Sequence, residues 1–114
     1  MTTEQKQTPQ WQREFPDFPA ADMPDVSPSF EDHSWHNNVC PSFYAEDLGL
    51  TLWIDYADRE KREMPRYSSR FTLLRQDNYE DEHGRVIIET DDWNEILTAI
   101  KIRWTEYCHE IGRA

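Results

Sequence analysis

The chain has 114 residues, enough for one compact domain with a single core, and five Trp, five Tyr and five Phe give that core large side chains to bury. Twelve basic residues against 23 acidic ones leave a formal charge of −11, which disfavours direct binding to nucleic acid or anionic lipid and favours a protein partner with a basic surface. Two cysteines, Cys40 and Cys108, are too few for a disulfide scaffold. The stretch MTTEQKQTPQ lacks the apolar centre of a signal peptide, and the longest apolar run, LGLTLWI, falls short of the ~20 residues that span a bilayer. A cytoplasmic, reduced setting is therefore expected, with no membrane association.

Residues 1–32 hold five of the seven prolines, at 9, 16, 19, 24 and 28. Trp11, Phe15 and Phe18 have helical spacing, but Pro16 and Pro19 each remove an amide donor and clash with the preceding turn. An extended, partly disordered arm is expected here, distinct from a single α+β domain over residues 33–114. The arm's aromatics set it apart from a purely solvated tail, so it lies over its own domain or serves as a ligand for another protein.

The next segment, HSWHNNVC at 33–40, brings two histidines and a cysteine together around Trp35. Trp35 and Val39 are expected to be buried, with His33 and His36 flanking them near solvent. VCPSFY at 39–44 reads as a short edge strand, because Pro41 cannot donate to a ladder. In LGLTLWIDY, Leu48, Leu50, Leu52, Ile54 and Tyr56 alternate with Gly49, Thr51, Trp53 and Asp55, the period of a half-buried strand. RFTLLRQ (70–76) and RVIIET (85–90) are two further strands of a hairpin around a polar loop. Trp53 and Leu74 fall opposite the main apolar stripe, so the second sheet face calls for cover by the arm, a partner or a second copy forming a homodimer.

Charge is segregated along the chain. Residues 57–70 carry five basic and three acidic groups, leaving seven basic and 20 acidic elsewhere. In the C-terminal segment Trp93, Ile96, Leu97, Ile100, Trp104, Tyr107, Cys108 and Ile111 form one helical stripe. Thr90, Asp91 or Asp92 can cap that helix, Glu95 completes a capping box after Asp92, and Gly112 marks the stop. The expected fold is thus an α+β domain, a three- to four-stranded antiparallel sheet covered on one face by the C-terminal helix, with an extended Pro- and aromatic-rich N-terminal arm.

No catalytic signature stands out. A Cys–His nucleophile would need a third group to hold the base, and none is flagged. The Ca²⁺ loop pattern is absent around Asp77, and only Gly49, Gly84 and Gly112 are available for a phosphate loop. The chain is therefore read as a non-catalytic protein-binding module needing no cofactor, a small acidic adaptor or inhibitor that could act as a polyanion or DNA mimic. Its partner-binding residues are expected in an acidic patch, Asp77, Glu80, Asp81, Glu82, Asp91 and Asp92, and on the arm at Trp11, Phe15 and Phe18. The alternative is a zinc protein using His33, His36 and Cys40, with Cys108 or His109 from the helix, since zinc accepts this mixture of nitrogen and sulfur donors.

Overall fold

The computed structural model describes residues 8–76 and 84–112. Helix α1 (Gln10–Glu14) opens the described chain, with Pro9 in extended conformation at its N-cap. It stops at Phe15, whose φ of −131° leaves the helical region one residue before Pro16. This corrects the expectation of an extended arm: the prolines bound short helical turns rather than prevent them, since Pro fits the start of a helix and restricts the residue before it. A 3₁₀ turn, Ala20–Asp22, follows Pro19 in the same way.

The sheet has five strands, β1 (Glu31–Asp32), β2 (Ser42–Ala45), β3 (Leu50–Ile54), β4 (Phe71–Arg75) and β5 (Arg85–Thr90), all antiparallel to their neighbours in chain order. Sequence periodicity finds three or four of these. The arm itself supplies the additional edge strand, which makes β2 an internal strand, buried along its whole length. Pro41 does not break the ladder because it lies just before β2, where its carbonyl accepts the Ile54 amide at 3.0 Å.

Register assigns the faces. Phe43 pairs with Leu52, Leu52 with Leu73 and Leu73 with Ile88, while Ala45 pairs with Leu50 and Ile54 with Phe71, which places the apolar stripe on one side. Helix α2 (Trp93–Glu110) lies on that side, with Ile96 fully buried among the strands' side chains. Phe15, Phe18 and Phe30 enter the same cluster, so the arm shares this face with the helix instead of crossing the other. Trp11 meets Phe18 edge to face at 5.5 Å, and the Tyr56 hydroxyl donates to Asp17 at 2.7 Å. Within the described part of the arm, Phe15, Phe18 and Phe30 thus belong to the core cluster.

Asp92 caps α2 by accepting the Asn94 amide at 2.9 Å, and Gly112 follows the helix with φ +80°, a conformation open to glycine. Glu95 accepts from the Thr90 hydroxyl, which in turn receives the Asp92 amide at 3.0 Å, so the capping box is closed through Thr90. The helix is rotated relative to the expected stripe. Ile96 and Arg103 are its buried residues, whereas Leu97 and Trp104 remain 44% and 48% exposed, and Ile111 is also exposed. Arg103 explains the rotation: its Nε donates to the Leu48 carbonyl at 2.7 Å and its two terminal nitrogens fork onto Glu110 at 2.9 and 3.1 Å. A guanidinium held this way fixes which side of the helix faces inward.

Candidate functional site

The second face of the sheet carries two cross-strand rows. Tyr44, Thr51, Leu74 and Val86 form one; Ser42, Trp53, Thr72 and Glu89 form the other. Ser42, Tyr44 and Thr51 in these rows are buried, so the face is open at Trp53 and toward β4 and β5, while α2 and the core aromatics of the arm pack on the opposite side. Antiparallel sheets commonly leave one face to water, but that face is then mainly polar. Here Trp53 and Leu74 are half-buried and Val86 is exposed, with Val39 nearby at the rim.

At one end of this face is a groove of about 300 Å³. Trp53 and Asp55, two residues apart on one side of the chain, contribute to it from β3 and its exit; Thr72 and Glu89 contribute from β4 and β5, and Ser68 and Ser69 from the preceding loop. That loop is pinned by Arg62, which is buried and donates to the carbonyls of Tyr56 at 2.6 Å, Ser68 at 3.0 Å and Ala57 at 3.3 Å. The basic run 57–70 therefore contains the residue that shapes one groove wall.

Asp55 is only 8% exposed. Its Oδ1 accepts the Tyr56 amide at 2.8 Å, and no described residue donates a hydrogen bond to its Oδ2. Burial pushes its pKa up, against the lowering effects of the Tyr56 amide and the nearby Arg62 charge. For a carboxyl whose folded pKa is raised, ionisation at neutral pH opposes folding, and the penalty fades as pH falls through that pKa. Asp55→Asn is accordingly expected to leave the thermal midpoint unchanged or to raise it at neutral pH, with the difference shrinking in acid. A marked loss of stability in the variant would show that the carboxylate is structural.

The expected sites are distributed as follows. Asp77, Glu80, Asp81 and Glu82 lie outside the described residues. Asp91 accepts the Arg70 amide at 2.7 Å and pairs with Arg59 at 3.3 Å, and Asp92 is the α2 cap, so both have work within the fold. Phe15 and Phe18 are core residues and Trp11 packs against that core. Sequence reasoning singled out neither Glu89 nor Asp55. The signal available was the strand alternation itself, which puts Asp55 beside Trp53.

The zinc constellation is not assembled. His33 Nε2 lies 3.2 Å from Glu31, while His36 Nδ1 bonds Glu14 at 2.7 Å; Cys40 is buried, and Cys108 and His109 sit on α2. Among the described residues no three His, Cys, Asp or Glu side chains form a group that could hold a metal, which corrects the five-residue alternative. The reason is local pairing, since His33 faces Glu31 of β1 and His36 faces Glu14 of the arm. The burial expected for Trp35 and Val39 is also reversed. They are 50% and 49% exposed, and Trp35 stacks on His36 with ring centroids 4.3 Å apart, because Phe30, Phe43 and the arm aromatics already fill the core.

Cys40, at the base of the groove, is almost fully buried, and this burial, reinforced by the Asp55 charge, pushes its thiol pKa well up. A thiol-specific reagent is expected to modify Cys108 ahead of Cys40, with Cys40 reacting only as the chain unfolds. Fast labelling of Cys40 in the folded chain would reopen a role for it as a nucleophile.

The fold defines a class, an α+β domain built on a five-stranded antiparallel meander with one face covered by the C-terminal helix and the other partly open. Comparison with known protein families, with curated proteins and with solved structures finds no match to this chain. No helix of the described residues is long and apolar enough to cross a membrane.

Proposed function

We propose that the chain is a non-catalytic protein–protein interaction module, a small acidic adaptor or inhibitor that docks a partner with a basic surface on its open sheet face. The observation that carries this reading is the exposed part of this face at Trp53, Leu74 and Val86, drawn from two adjacent cross-strand rows and bordered by the acids Asp55 and Glu89. An apolar centre with a charged border is the composition of a recognition surface, in which the border steers the partner and the centre holds it. The net charge of −11 adds long-range attraction for a basic partner that weakens as salt is added.

The reading is tested by affinity capture from host extract with the native chain and with Val86→Lys, an exposed position where the substitution leaves the core intact. A protein retained by the native chain at low salt, and lost with Val86→Lys, is the expected result. Identical captured sets for both chains would overturn the assignment of the open face. If free DNA displaces the partner, the chain acts as a polyanion mimic within this same class.

A further inference from the structure

Four features of the groove restrict what it can take. Its charged side chains are the carboxylates of Asp55 and Glu89, and no Lys or Arg lines it. Anions are therefore repelled, phosphate included. Trp53 offers an aromatic surface beside those acids, and Ser69 and Thr72 add hydroxyls. Asp55, though more than nine-tenths buried, keeps one oxygen without a donor from the described residues. Arg62 lies near Asp55 but directs its hydrogen bonds to three main-chain carbonyls, so it does not occupy the groove.

Backbone geometry sets the scale. Trp53 and Asp55 are two residues apart along an extended chain, roughly 7 Å, and Trp53 and Glu89 are two strands apart in one row, roughly 10 Å. We propose that this groove receives a single basic side chain of the partner protein, a guanidinium in preference to an ammonium, stacked on Trp53 and hydrogen-bonded to Asp55 and Glu89. The inference rests on the interaction reading above and names the chemistry of its contact.

The preference for arginine follows from shape and hydration. A guanidinium is planar and weakly hydrated, stacks on indole, and presents several donors in a fixed fork that can serve two carboxylates at once. An ammonium is a compact, strongly hydrated point charge that must lose more water to enter and presents no flat face to Trp53. Such a contact would also give a partner to an acid whose ionisation burial opposes, and perturbed carboxyls in clefts mark candidate binding sites.

The test is a titration of the full chain, followed by amide and indole resonances, with acetyl-Gly-Arg-Gly-amide and its lysine and citrulline counterparts. Saturable shifts at the Trp53 indole N–H and the Thr72 and Glu89 amides are expected with the arginine peptide. Binding several-fold weaker with lysine, and none with the neutral citrulline peptide, is expected alongside. Asp55→Asn and Glu89→Gln should each weaken arginine binding about tenfold, the scale of one charge-assisted hydrogen bond. Glu89 is exposed, so its variant remains informative even if Asp55→Asn perturbs the fold. Equal binding of arginine and citrulline peptides, shifts confined to other parts of the chain, or indifference to both substitutions would overturn the proposal. Loss of these peptide effects with partner capture still dependent on Val86 would remove the groove assignment alone. Specific arginine binding without any Val86-dependent partner would instead remove the adaptor reading.

Discussion

Phe18→Ala is expected to destabilise the chain by about 3–5 kcal/mol, the usual cost of emptying a phenylalanine site in a packed core. Phe18 is 2% exposed, touches the Trp11 and Tyr56 rings at 5.5 and 5.0 Å between centroids, and belongs to the one cluster that also holds Leu52, Leu73 and Ile96. Since small domains are stable by only about 5–15 kcal/mol, this single truncation would remove a large part of the total. Thermal denaturation should show a midpoint lowered by roughly 10–20 °C. Trp35→Ala provides the comparison, because a half-exposed ring outside the core should cost on the order of 1 kcal/mol or less. A Phe18→Ala chain as stable as Trp35→Ala would mean that the arm is not part of the core. The same result bears on function. With Phe15 and Phe18 buried in the chain's own core, presenting them to a partner would first require undocking the arm at about the cost just given.

Arg62→Met is expected to cost about 2–4 kcal/mol, although it removes a charge and keeps most of the side-chain volume. The native side chain is 3% exposed and satisfies the carbonyls of Tyr56, Ala57 and Ser68. Methionine offers them no donor, and buried carbonyls left unmatched account for the loss. The exposed Arg59, which pairs with Asp91 at 3.3 Å, is the control: Arg59→Met should change stability by less than about 1 kcal/mol, as exposed ion pairs do. Chemical denaturation of the two variants separates these roles. Equal stability would show that the 57–70 loop does not depend on Arg62. A loosened loop would also move Ser68 and Ser69, so arginine-peptide binding at the groove should weaken in Arg62→Met but not in Arg59→Met.

Both variants mark where sequence reading reached its limit. The alternation in LGLTLWIDY correctly assigned Leu50, Leu52 and Ile54 to one face and Trp53 to the other, because a two-residue period is a property of the extended backbone. The C-terminal helix was equally legible from its apolar spacing and acidic start. Its rotation was not, since several apolar residues spread over a wide arc and only Arg103, reaching Leu48 across 55 positions of sequence, selects the inward side. Trp35 misled for a related reason. A tryptophan is a strong candidate for burial, but competition for core volume was won by Phe15, Phe18, Phe30 and Phe43. The histidines of the same segment formed a credible ligand set in one dimension, yet Glu14 and Glu31 claim them separately in three.

What the sequence by itself determined is the periodic part of this protein, where the strands β2 to β5 and helix α2 run and that the fold is α+β, together with its net charge of −11. These follow from backbone geometry and composition, which need no knowledge of distant contacts. Only the tertiary structure decided how that material is shared. It placed the arm's core aromatics on the helix side and left the Trp53 face open toward β4 and β5. It buried Arg62 and Arg103 on main-chain carbonyls, and it brought Asp55 and Glu89 into the lining of one groove. Each of those outcomes depends on packing between residues far apart in the chain, where volume and hydrogen-bond geometry, not local pattern, choose the winner.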